Sequence, residues 1–196
     1  IQASINSFGT DITAAWSAWG RLDGLFWMVL NAFSISITTF VGQNFGAGKY
    51  DRVKKGVREC LLMAFAAAVL LSTLLMLLGR PLYGIFTNEN AVISEGMRIL
   101  RLIAPYYFTF VCIEILSGTV RGAGESLIPA VITLFGICIL RLVWLLVFVP
   151  MDRTLERTVF SYPMTWVVTS VLFIVYYLKG GWMKRCQARR MTGDEA

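Results

Sequence analysis

Most of the chain consists of long apolar runs broken by short charged connections. Cys60 to Gly79 and Thr158 to Leu178 contain no charge, Leu102 to Val120 contains only Glu114, and Leu127 to Met151 contains only Arg141. Gly24 to Gly48 is also uncharged, and its apolar pattern reaches back past Asp23 and Arg21 to about Ile12. A helix needs roughly 20 mainly apolar residues to cross the hydrocarbon core of a bilayer. The pattern therefore predicts five membrane-spanning helices at approximately 12–42, 60–79, 99–120, 127–150 and 158–178. Residues 1–9 are too few to cross and run into the turn-like Asn6-Ser7-Phe8-Gly9-Thr10-Asp11. They read as the tail of a sixth helix whose start is missing. The expected fold class is an all-α, polytopic six-helix membrane bundle, with its first helix mostly truncated and a basic tail at 179–196.

Composition agrees with this. Of 196 residues, 57% are hydrophobic and only 15% charged, whereas a soluble domain carries about 25% charged residues. A water-soluble globule and a disordered chain are both excluded. There is no histidine, which removes the commonest general base and metal ligand. Cys60, Cys112, Cys138 and Cys186 lie far apart with no Cys-x-x-Cys pair, so neither a disulfide framework nor a zinc site is signalled. No metal site and no cofactor are expected.

Loop charge sets the expected orientation. One set of connections holds Lys49, Arg52, Lys54, Lys55, Arg58, Arg121, Lys179, Lys184, Arg185, Arg189 and Arg190; the other holds Arg80, Arg98, Arg101, Arg153 and Arg157. The larger set belongs on the cytoplasmic side, which places the C-terminus there in a multi-pass protein of the cell (inner) membrane. The net charge of +6 is then a topology signal, and nucleic acid is not an expected partner. Trp16, Trp19, Tyr83, Tyr106, Tyr107 and Tyr162 fall near outer span ends, and Tyr50, Tyr176, Tyr177 and Trp182 near inner ones. Such positions suit rings with one apolar and one wet edge.

Two inner connections look alike, Phe45-Gly46-Ala47-Gly48-Lys49 and Arg121-Gly122-Ala123-Gly124-Glu125. Gly46, Gly48, Gly122 and Gly124 are expected to build turns after helices. A phosphate-loop reading fails, because that motif wants Ser or Thr after its Gly-Lys and Tyr50 follows Lys49. Tyr50, Val53, Val57 and Cys60 share one helical face, with Arg52, Lys55, Arg58 and Glu59 around the rest. This predicts an amphipathic lead-in lying on the inner membrane surface. Pro105 is placed to kink its helix.

A charge at the bilayer centre costs about 2.5–3.5 kcal/mol on insertion scales, so each one needs an account. Glu114 shares a helical face with Tyr107, Val111, Gly118 and Arg121. It is either a carboxylate facing a water-filled cavity, able to take a proton or contact a cationic solute, or a structural group helped by Arg121. Arg141 lies mid-span and stays charged; Asp23 and Glu114 are the carboxylates it is expected to pair with. Asp23, Trp27, Asn31, Ser34 and Thr38 form a second stripe at helical spacing, which should face other helices or a cavity. If the span starts at Gly24, Asp23 and Arg21 are merely headgroup residues.

The order of motifs resembles the second half of a multidrug and toxic compound extrusion (MATE) transporter. The resemblance rests on Asn6-Ser7-Phe8-Gly9-Thr10, the polar-striped helix, Val41-Gly42-Gln43-Asn44-Phe45-Gly46-Ala47-Gly48, and then Leu116-Ser117-Gly118-Thr119-Val120-Arg121-Gly122-Ala123-Gly124-Glu125-Ser126 with Pro129 and Leu140-Arg141-Leu142. It implies the C-terminal lobe of a twelve-helix protein, with a missing N-terminal lobe as partner. It further implies secondary efflux of cationic, amphipathic organic compounds in exchange for Na+ or H+ by alternating access between lobes. Phe110 stands where the Na+-coupled branch has a cation-binding Asp, while Tyr106 matches an aromatic ligand position; Glu114 is the substitute candidate. The rival readings are a lipid-linked oligosaccharide flippase of the same superfamily, a membrane-embedded enzyme, and a structural subunit with no cavity. Lack of His, Ser–Lys or paired-Asp constellations within the spans argues against the enzyme.

Overall fold

The computed structural model describes residues 2–151 and 154–192; Ile1, Arg153 and the tail beyond Thr192 lie outside the described residues. The helices are α1 (Gln2–Asn6), α2 (Thr10–Gly46), α3 (Tyr50–Gly84), α4 (Asn90–Ile103), α5 (Tyr107–Gly122), α6 (Leu127–Thr133), α7 (Leu140–Val147), α8 (Leu155–Val159), α9 (Ser161–Lys179) and α10 (Trp182–Thr192). A 3-10 turn at Ala104–Tyr106 joins α4 to α5, and a π-helical stretch at Leu134–Ile139 joins α6 to α7. Among the described residues, five helical stretches are long and apolar enough to cross a membrane: Thr10–Gly46, Tyr50–Gly84, Asn90–Gly122, Leu127–Val147 and Leu155–Lys179. The protein is an all-α polytopic bundle.

The basic segment after the first inner turn departs from expectation. Instead of lying on the surface as a separate lead-in, it is the first part of one unbroken α3. No proline interrupts it, and its apolar stripe is continuous with that of the span: Val53, Val57, Cys60, Ala64, Ala68 and Leu75 are all buried. Gly56 supplies the necessary room, since a Cβ there would clash with the Phe40 ring of α2. α3 therefore carries Arg52, Lys54, Lys55 and Arg58 out of the membrane on a rigid helix. α2, with 37 residues, is about 55 Å long and likewise exceeds the hydrocarbon thickness.

Pro105 bends the next span. Its ring cannot sit inside a regular helix without clashing with the preceding turn, and the chain responds with the 3-10 turn. Ser72 of α3 donates to the Ala104 carbonyl at 2.6 Å, satisfying backbone in the kink.

α2 and α5 form the central pair. α3 and α4 pack along one side of it and α9 along the other, with α6, the π stretch and α7 outermost against α9. The central seam is built from small residues. Gly42 faces the Gly122 carbonyl, a Cβ on Gly118 would lie 3.1 Å from the Ser34 carbonyl, and one on Gly122 would clash with the Thr38 carbonyl. Small residues let helices approach until backbone polar groups are within reach across the seam. Thr38 accordingly donates to the Gly118 carbonyl at 3.1 Å, and Ser34 to the Glu114 carbonyl at 3.4 Å.

The two inner turns share one geometry. Gly48 at φ 71° and Gly124 at φ 93° take the left-handed conformation. Lys49 N–H then bonds the Asn44 carbonyl and Glu125 N–H the Val120 carbonyl, while Gly48 and Gly124 N–H reach Phe45 and Arg121. This is the Schellman closure of a helix. Gly46 and Gly122 each end the helix before it. Gly122 is needed for close approach, whereas a Cβ on Gly46 meets open space.

Gly122→Val should therefore destabilise the bundle by about 1–3 kcal/mol through overpacking. Gly46→Ala should leave the thermal unfolding midpoint in detergent unchanged. Equal midpoints for both variants would contradict the close-packed seam.

Candidate functional site

The polar stripe of α2 divides into two parts. Its outer part is a buried carboxylate among aromatic rings. Asp23 is only 8% exposed; Tyr107 O–H donates to one carboxylate oxygen at 2.6 Å and the Trp27 indole N–H to the other, also at 2.6 Å. The Trp27 donor comes from the same helix four residues on, and the Tyr107 donor from the start of α5, just past the kink. The helical rise of α2 carries Asp23 into the bundle, while Arg21 is exposed and lies over the Phe86 ring at 5.3 Å. Phe26 stacks on Tyr107 at 4.1 Å, and Trp27 meets Phe110 edge-on at 4.4 Å. Phe110, at the position without a carboxylate, is thus a buried packing residue between Trp27 and Trp166.

The inner part of the stripe is seam. Ser34 and Thr38 spend their hydroxyls on carbonyls of α2 and α5. Neither lines the cleft described next.

Between the two parts the surface opens. Trp27, Met28, Asn31 and Glu114 line a cleft of about 380 Å³ between α2 and α5. Glu114 is half-buried, and among the described residues no side chain donates to its carboxylate. Arg121 does not help it, because its guanidinium donates to Ser34 Oγ at 3.2 Å. An aromatic face, an amide and an unpaired carboxylate are the elements that hold an amphipathic cation, through cation–π contact and charge.

Arg141 lies elsewhere. Neither Asp23 nor Glu114 forms an ion pair with it among the described residues, contrary to expectation. α7 packs chiefly against α9, so the guanidinium finds that helix first. It sits 4.1 Å from the Tyr162 ring centroid and donates to Thr165 Oγ1 at 2.9 Å, with Nε buried and unpartnered. Gly136, in the π stretch, allows the close approach to Thr169 that sets this register. Tyr106 and Tyr107, adjacent in sequence, also separate: Tyr107 turns in to Asp23, while Tyr106 meets Phe160 edge-on at 6.2 Å.

The structure thus gathers Asn31 and Glu114 at one cleft, with Asp23 and Tyr107 behind it through Trp27. Tyr106, Ser34, Thr38 and Arg141 stand apart. Sequence reading did not single out Trp27 as a site residue, although its place four residues after Asp23 on the stripe marks it. Tyr162 and Thr165, the actual partners of Arg141, carry no sequence signal, because they depend on how α9 packs.

The MatE family model matches residues 1–147. The probable multidrug resistance protein YoeA of Bacillus subtilis is 26% identical over 133 residues, 68% of this chain and 29% of that protein. The probable multidrug resistance protein NorM of Thermotoga maritima is 26% identical over 171 residues, 87% of this chain and 37% of that protein. Multidrug and toxin extrusion protein 2 of Mus musculus is 30% identical over 116 residues, 59% of this chain and 20% of that protein. The matched part spans about a third of the length of the first two relatives. A family match over most of the chain coincides with five membrane-length helices, and it covers both glycine-rich turns and the polar-striped helix; this multi-pass membrane chain belongs to the MatE family of transporters, and it is not an enzyme.

Proposed function

We propose that this chain is the C-terminal lobe of a twelve-helix exporter of cationic, amphipathic organic compounds, driven by Na+ or H+ antiport with alternating access. The lobe comprises 10–196, follows the tail of a first helix at 1–9, and works against an N-terminal lobe of the same protein. The larger set of basic connections supports a cytoplasmic C-terminus, and the lobe belongs, on this reading, to the cell (inner) membrane. The observation that carries the reading is the cleft of Trp27, Asn31 and Glu114 inside membrane-spanning helices, with an unpaired carboxylate at its wall. The multidrug names of the relatives support the substrate class.

Asp23 is the coupling candidate within this lobe. As a carboxylate it accepts hydrogen bonds from Tyr107 of α5 and Trp27 of α2. Protonation removes the charge that strengthens both bonds, and a bound Na+ competes for the same oxygens, so either event loosens the link between the two helices. Trp27 belongs both to this network and to the cleft wall, which links the ion step to the substrate step mechanically.

The flippase reading draws on Arg141, a mid-span cation that has no carboxylate partner among the described residues and suits an anionic headgroup. It faces α9 rather than the cleft, so the two readings use different residues. A purely structural subunit would spend its polar groups as Ser34 and Thr38 do, but leaves Glu114 and Asn31 without a role.

Export of a fluorescent cation by the intact protein in energised vesicles separates these readings. Glu114→Gln should raise the apparent KM for the dye about tenfold, the loss of one charge contact of about 1.4 kcal/mol, with the unfolding midpoint unchanged. An unchanged KM removes Glu114 from the substrate path. Asp23→Asn should abolish the dependence of export on the driving ion while dye binding persists; export still driven by that gradient would place coupling outside this lobe. If instead Arg141→Gln alone halts transport, the anionic-headgroup reading replaces the drug reading.

A further inference from the structure

The tail helix α10 folds back onto the inner end of the bundle through Gly180 and Gly181, the latter at φ 60°. Trp182 and Cys186, one turn apart, are buried. Trp182 stacks on Tyr177 at 5.5 Å and faces Phe45 of the first inner turn at 6.5 Å, and its N–H donates to the Tyr177 carbonyl at 3.1 Å. The second inner turn is met through charge. Glu125, 2% exposed, faces Arg185 Nε at 3.7 Å and Arg189 Nη1 at 3.8 Å, and accepts from Tyr176 O–H at 3.4 Å. Arg185 also donates to Tyr176 O–H at 2.8 Å. α10 thus bridges the ends of α2 and α5, the two helices of the central seam.

The charge contact is loose. Charge-assisted hydrogen bonds run to about 2.7–2.9 Å, and these are longer. Arg185 and Arg189 remain 45% and 58% exposed. The buried Glu125 carboxylate is therefore met at long range by cations that also face outward. Lys179, Lys184, Arg185 and Arg189 follow directly on a membrane-spanning helix, so the nearest dense anions are lipid headgroups. A short basic helix directly after a spanning segment suits the boundary between anionic lipid and water.

We propose that α10 has two alternative seats: Glu125 with the inner turns of the bundle, and the anionic phospholipid surface beside it. When headgroup charge is low, α10 clamps the ends of α2 and α5. When it is high, Arg185 and Arg189 transfer to the headgroups, the Gly180–Gly181 joint swings, and the clamp opens. The proposal requires only that α9 spans the bilayer, and it stands apart from what the protein transports.

The test uses spin labels at Gln43→Cys and Gln187→Cys in the intact protein, with native cysteines changed to alanine, and electron-resonance distances in symmetric vesicles. In phosphatidylcholine a single short separation is expected. Adding phosphatidylglycerol should bring up a population longer by about 10 Å, one helix diameter. Glu125→Gln should show that population at lower phosphatidylglycerol content. Arg185→Gln with Arg189→Gln should abolish the dependence on phosphatidylglycerol. One unchanged distance in all vesicles, or the same lengthening in the double variant, would overturn the proposal. So would lengthening caused by inorganic phosphate in phosphatidylcholine alone, which would assign the arginines to soluble anions.

Discussion

Hydrocarbon offers no hydrogen bonds, so each polar group on a spanning helix must find its partner on another helix, on its own backbone, or in a pocket of water. In this chain that demand is met first at the contact of α2 with α5. Gly42, Gly118 and Gly122 bring the two backbones close enough for Ser34 and Thr38 to donate across the gap. The hydrophobic effect does not hold helices together in lipid, where tails are as apolar as leucine; close packing and short polar contacts do. The seam therefore fixes where Asp23, Asn31 and Glu114 stand, because all of them ride on these two helices.

Asp23, Arg141, Glu125 and Glu114 show four solutions to the same problem. Asp23 takes two aromatic donors and is closed off from the surface. Arg141 takes a ring and a hydroxyl. Glu125, at the inner end, borrows cations from a separate helix. Glu114 takes none of these and opens on a cleft. A carboxylate without a protein partner in this setting needs water, an ion or a cationic solute, and that is why the cleft carries the functional reading.

The spans and both glycine turns were legible in the sequence, since charge-free runs of membrane length and the Gly-x-Gly pattern depend on local chemistry alone. The kink at Pro105 was legible for the same reason. The packing of the Tyr50 to Cys60 stretch against α2 was not, because it depends on Gly56 meeting Phe40 on another helix. The stripe on α2 was visible as a periodicity, but only the close approach of α5 divides it into a buried carboxylate, a cleft and a seam. Partners set by tertiary packing escaped altogether: Tyr162 and Thr165 for Arg141, and Arg185 for Glu125. Sequence spacing reports which residues share a face, not which helix that face will meet.

The central claim is that one strip of the α2–α5 surface is wet inside the membrane, while exposed apolar positions such as Leu77 of α3 and Leu146 of α7 face lipid. On the bare chain Asn31 is exposed, and so are Leu77 and Leu146, so exposure alone does not distinguish a wet position from a lipid-facing one. Labelling of single-cysteine variants of the intact protein in membranes by an impermeant, water-requiring thiol reagent does. Asn31→Cys and Glu114→Cys should react, and Leu77→Cys and Leu146→Cys should not. Silence at both Asn31→Cys and Glu114→Cys, with reaction at a control cysteine in the inner turn, would mean that this strip faces acyl chains and would contradict the account.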